Sequence, residues 1–143
     1  MLRKCLGTLV LAVIAAATTG GAGAQEAGAA PTPEHIAEGK QIWSDSGCSL
    51  CHGTKGQGGT NPDYPNGPSL RSADITRDGL VEAIACGRPG SPMAAWQQGA
   101  YTEMSCYGIE PGAIPSGAAV IGLYEQAQIE ALADYIIASF WPD

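Results

Sequence analysis

The chain has 143 residues, and its 7 Lys and Arg stand against 14 Asp and Glu for a formal net charge of −7. That length holds one compact domain once an N-terminal leader is set aside, and the acidity repels nucleic acid and serves either to steer the protein toward a partner's basic patch or to keep an exported protein soluble. With a single phenylalanine among 20 glycines and 10 prolines, an unaided apolar core would be thin, so a large buried prosthetic group is expected to supply the missing apolar surface.

Arg3 and Lys4, an apolar stretch from about Leu6 to Ala17, and the small residues Ala22, Gly23 and Ala24 before Gln25 form the pattern of a cleaved secretory signal. The apolar stretch is short and rich in Ala and Thr for a membrane span. Residues 1–24 are therefore read as a signal peptide and 25–143 as a single exported domain, periplasmic and without stable membrane insertion. Cys5 precedes the apolar run, does not sit where a lipid-attachment cysteine would, and is given no role. Gln25 to Pro31 form a polar, small-residue lead.

Thr32, Pro33 and Glu34 start the first helix: a capping hydroxyl, a proline where no donor is needed, and an acid at the positive helix end. Ile36, Gly39, Ile42 and Trp43 recur at helical spacing to about Asp45, and Gly47 follows as a left-handed stop. His35, at the helix start, reads as a solvated residue. From Gly53 to Ser69 there is almost no periodic apolar residue, and so long a loop needs something to wrap around. Thr76 caps the next helix, with Ile75 and Leu80 placed as a hydrophobic staple. Its buried face is Leu80, Val81, Ile84 and Ala85, and Gly87 ends it. Arg88 to about Gly122 reads as irregular, and no strand pattern is visible. The last helix, from about Tyr124 to Phe140, buries Ile129, Leu132, Ala133, Tyr135 and Ile136. The expected fold class is all-α: three to four helices with long loops.

Cys48, Ser49, Leu50, Cys51 and His52 carry the chemistry. Two thiols three positions apart reach the two vinyl groups along one haem edge, and the adjacent imidazole then lies under the iron. A zinc site needs a second pair of ligands, and neither Cys86 and Cys106 nor His35 has that spacing. A thioredoxin-like dithiol expects a strand before the motif and a helix starting at it, whereas here a helix precedes and a glycine-rich loop follows.

With these residues in place the chain resembles the class I cytochrome c family over nearly all of Glu34 to Ser139. Gly39 and Trp43 match the glycine and aromatic of that family's first helix, where the glycine lets the first helix cross closely over the last, here at Tyr135. Gly67, Pro68, Ser69 and Leu70 match its glycine-proline-x-leucine segment. The resemblance implies one covalently bound haem c, cofactor contacts from Cys48, Cys51, His52, Met93, Pro68 and Leu70, and iron ligation by His52 and Met93. In particular, it gives the Pro68 carbonyl the hydrogen bond that orients His52.

Met93 follows Arg88, Pro89, Gly90, Ser91 and Pro92 like the family's methionine loop, although Ala94 replaces the usual proline after it. Met104, two residues from Cys106, is the rival, in a stretch the family pattern lacks. Histidine and methionine together favour the ferrous state relative to two histidines, and with both axial positions filled electron transfer is favoured over substrate chemistry. No serine–histidine–aspartate, paired-carboxylate or phosphate-loop arrangement argues for catalysis. In an oxidising compartment Cys86 and Cys106 are expected to form a disulfide, closing a loop that contains both methionines and contributing about 3 kcal/mol. It serves stability alone or also restrains the methionine loop. Ordinary small members of the family lack these cysteines and an insertion as long as the one at about 97–123, which marks that region as the partner-specific element.

The expected function is a periplasmic electron carrier, itself not an enzyme. It takes electrons from a dehydrogenase, a quinoprotein alcohol dehydrogenase being the preferred donor, or from a respiratory complex, and passes them to a terminal oxidase or other acceptor. The alternatives are a tightly bound electron-transfer subunit of a larger oxidoreductase and a haem enzyme or gas sensor with a displaceable sixth ligand.

Overall fold

Helix α1 (Pro33–Asp45) begins where the Thr32 hydroxyl accepts a hydrogen bond from the backbone N–H of His35 at 3.3 Å, and it stops before Gly47, whose φ is +65°. The computed structural model describes residues 30–59, 61–71 and 74–141. The expected signal peptide at 1–24, Cys5 and most of the polar lead lie outside the described residues. Immediately after the stop comes a one-turn helix α2 (Cys48–His52), then the long loop, then α3 (Arg77–Cys86). Thr76 caps α3 by accepting from the Gly79 amide at 3.1 Å. The last helix, α4 (Gln126–Phe140), is capped at Glu125, whose amide is taken by the Gln128 side chain at 3.1 Å.

The core lies where α1 and α3 both pack on α4. Ile42 and Trp43 come from α1, Leu80 and Ile84 from α3, and Ile129, Leu132 and Ile136 from α4. Gly39 makes the α1–α4 crossing possible: a Cβ there would run into the Ala131 carbonyl and come within 2.8 Å of Tyr135 Cβ. A charged side chain is buried beside this core. Asp134, 6% exposed, accepts from Arg77 Nε and Nη2 at 2.6 and 2.8 Å and from His35 Nε2 at 3.0 Å, so it ties α1, α3 and α4 together. The expectation that His35 is merely solvated is corrected by this contact.

The architecture is the expected small all-α fold, with one addition. Within the stretch read as irregular, β1 (Ala95–Gln97) pairs in parallel with β2 (Val120–Tyr124), Ala95 opposite Val120 and Gln97 opposite Tyr124. Strands this short leave no alternation to read, and their partner lies beyond a long excursion of chain. Tyr124 consequently ends β2 rather than opening α4. The segment between the strands folds back over the end of α3, which is why Ala83, Ile84, Ala85, Cys86 and Gly87 are buried in succession with no exposed stripe. Cys86 and Cys106 are joined in a disulfide with their Cα atoms 5.7 Å apart. Among the described residues no helix is long and apolar enough to cross a membrane.

Candidate functional site

α2 brings Cys48, Cys51 and His52 together on a single helical turn. Gly47 and Gly53 bracket it at φ +65° and +77°, so the turn is set off from α1 and from the loop by two backbone reversals. Both thiols are free and half-buried, the other two described cysteines being joined to each other. Burial pushes the Cys48 thiol up to about 11, only partly offset by a backbone hydrogen bond, with the neighbouring Cys51 adding to the rise. A thiol held neutral in this way is the opposite of the acidic thiolate that a dithiol redox motif relies on.

The loop after α2 folds back around it. Gly58 N–H donates to the His52 carbonyl at 2.8 Å, Gly67 N–H to the Cys51 carbonyl at 2.8 Å, and Gly59 N–H to the Gly67 carbonyl at 3.0 Å. What the long loop wraps, among protein atoms, is the Cys-x-x-Cys-His turn itself. Gly67 lies so close to the imidazole that a Cβ there would sit 2.8 Å from both His52 Cε1 and Nδ1. The next residue provides the decisive contact: His52 Nδ1 lies 3.0 Å from the Pro68 carbonyl oxygen. A carbonyl only accepts, so Nδ1 carries the proton, and in a neutral imidazole the Nε2 lone pair is then free to ligate a metal. Leu70 closes the segment, 9% exposed and part of the apolar core, with its amide on the Gly56 carbonyl at 2.7 Å. Behind the imidazole stands an aromatic cluster. The Trp43 ring is 6.5 Å from His52, 6.2 Å from Tyr135 and 5.2 Å from Phe140 between centroids.

The two methionines sit in different surroundings. Met93 is half-buried and stands apart from the apolar cluster. Its loop is closed on itself, with Arg88 N–H on the Met93 carbonyl at 2.8 Å and Met93 N–H on Ser91 Oγ at 3.2 Å. Met104 packs against the cluster and lines a cleft with Val81 and Glu82 of α3 and Glu130 of α4. That is ordinary gap-filling use of a thioether.

Residues that the sequence pattern did not single out also shape this region. Tyr101 is fully buried, with its hydroxyl on the Cys86 carbonyl at 3.0 Å, and the Tyr107 hydroxyl donates to the Gly87 carbonyl at 2.6 Å. Asp134 had a signal of its own, an acid inside the apolar stripe of α4. The tyrosines had none, because their partners are backbone atoms of a distant helix end.

The donor set fits haem c. Two free thiols on one turn and an imidazole whose Nδ1–H is taken by the Pro68 carbonyl suit thioether attachment and iron ligation, and among the described residues no cluster of metal-binding side chains suits another ion. The comparison with known families agrees: the family model described as "Cytochrome c" matches residues 36–139. No curated protein and no solved structure gave a significant match.

Proposed function

The chain belongs to the cytochrome c family, an electron-transfer haem protein by that membership, and we propose that it is a periplasmic carrier of single electrons holding one haem c. Cys48 and Cys51 would hold the group by thioether bonds, and His52 and Met93 would ligate its iron. Bound haem supplies a reversible ferrous–ferric couple. The protein's part is to fix and tune it. The Pro68 carbonyl holds the imidazole in one tautomer and orientation and raises its basicity toward the iron, and Leu70 packs the segment that carries Pro68 into the core.

The observation that carries the reading is the Cys48-x-x-Cys51-His52 turn with His52 Nδ1–H on the Pro68 carbonyl. Its test is covalent attachment: after denaturing electrophoresis or acid–acetone extraction, haem stays with the polypeptide at one group per chain. Replacing Cys51 by Ala leaves a single thioether and a poorly matured protein. Haem released to the solvent would overturn the assignment.

The acidic surface supports a donor with a basic docking face, and we favour a periplasmic dehydrogenase, with a quinoprotein alcohol dehydrogenase as first candidate, and a terminal oxidase or other acceptor downstream. One observation favours the second reading, a tightly bound subunit of a larger oxidoreductase. Tyr107, Ile109, Ile114, Ile121 and Leu123, all exposed, fall within one stretch of chain that closes with β2, and such apolar exposure suits a permanent contact. Gel filtration of the native extract separates the two, since a shuttle elutes at the mass of one chain and a subunit with its complex.

A further inference from the structure

Helix α3 ends at Cys86, where its last carbonyl groups have no following helical amide to satisfy them. The donors come from the segment 97–123. Tyr101 OH donates to the Cys86 carbonyl at 3.0 Å and Tyr107 OH to the Gly87 carbonyl at 2.6 Å. Both tyrosines hold a positive φ, +67° and +54°, a conformation that side chains other than glycine rarely adopt, so the surrounding structure determines them strongly. The disulfide from Cys86 to Cys106 lies between them in the chain, and Tyr107 N–H is further fixed on Glu82 Oε1 at 2.8 Å.

The same segment also fastens the far side of the methionine loop. Gly90 N–H donates to the Gly117 carbonyl and Ala95 N–H to the Ala119 carbonyl, each at 2.8 Å. Residues 88–93 are therefore held before Met93 through the end of α3, in the middle at Gly90, and after Met93 at Ala95. Each of these three fastenings comes from one excursion of chain.

We infer that the segment 97–123 is a splint that keeps Met93 in place, with Tyr101 and Tyr107 as positioning residues; the inference rests on the reading of Met93 as the second axial ligand. A thioether is a soft ligand and binds ferric iron weakly. Its dissociation is favoured by whatever conformational freedom the released loop gains, so a loop fastened on three sides gains less and stays ligated.

The test uses the full-length, haem-loaded protein and the variants Tyr101→Phe, Tyr107→Phe and their combination, which delete the donors and keep the rings. Two quantities are followed: the ferric sulfur-to-iron charge-transfer band against temperature, and hydrogen exchange at the Gly90 and Ala95 amides. Ile129→Val, a core change in α4 that touches neither tyrosine hydroxyl bond, is the control for general destabilisation. The expected result is exchange about tenfold faster at both amides in the double variant, with the band lost well below the temperature of global unfolding. In Ile129→Val the band and the fold are lost together. If the double variant keeps its band up to global unfolding and its two amides exchange at the wild-type rate, the splint is overturned and the ligand assignment stands. If Met93→Ala keeps the band, the ligand assignment itself is overturned and the splint with it. Should the double variant fail to mature, the same two measurements are made on Tyr107→Phe, whose ring is partly exposed: early loss of the band with faster exchange supports the splint, and wild-type behaviour in both overturns it.

Discussion

Gly39 leaves no room for a side chain, since any Cβ meets the Ala131 carbonyl, which is backbone and cannot rotate away. Gly39→Ala is therefore expected to destabilise the haem-loaded protein by about 1–3 kcal/mol through overpacking of the α1–α4 crossing, read as a lower thermal midpoint. At the iron, Met93→Ala should abolish the ferric sulfur-to-iron band and open the reduced protein to carbon monoxide, while Met104→Ala leaves the band intact because its thioether faces α3 and α4. Gly39, Trp43 and Pro68 were legible from short motifs: Gly39 and Trp43 sit on the helix just before the Cys-x-x-Cys-His turn, and Pro68 sits in a glycine-proline-x-leucine segment whose carbonyl meets His52. His35 was not legible: its partner Asp134 is 99 positions away, and nothing beside His35 in the sequence announces an acid there.

Three helices meet at Asp134, and the pH dependence of stability belongs to this scale. Burial alone would raise its carboxyl, but the hydrogen bonds from Arg77 and His35 outweigh burial and hold it below the usual carboxylate range. A depressed folded value means that the unfolded chain binds the proton more tightly. The stability tied to Asp134 is thus complete above about pH 4, the ordinary carboxylate value, and is lost as pH falls through the lower folded value. Asp134→Asn should cost about 2 kcal/mol near neutral pH, and its deficit in denaturant midpoint against the wild type should shrink as pH drops toward 3. The helices themselves were readable from local chemistry, because Thr32, Thr76 and Gly47 act within a few residues of where they stand. The β1–β2 pair was not, since its stability comes from register with a segment more than twenty residues away and from burial against α3, neither of which leaves a local periodicity.

For the molecule as a whole, the excess of acids over bases predicts how it meets a partner. Charge acts over about 8 Å at physiological ionic strength, so electron exchange with a basic partner should slow as salt is raised, measured by stopped-flow reduction; a flat response would leave the acidity as a solubility feature alone. The ring closed by Cys86 and Cys106 also decides what a break in the chain does. Glu103 is exposed on the excursion that follows β1, and cutting the peptide after it divides the polypeptide inside that ring. The pieces then remain one molecule, because the bond at Cys106 holds the C-terminal piece, with β2 and α4, to the end of α3. A single cut at the Glu103–Met104 bond should accordingly leave a single band on a non-reducing gel and two after reduction, with haem stain following only the N-terminal piece. Severing the backbone between Met93 and α4 would in this way be survivable, and the spectrum of the nicked protein would report whether continuity of the backbone or the crosslink alone keeps the haem in its coordinated state.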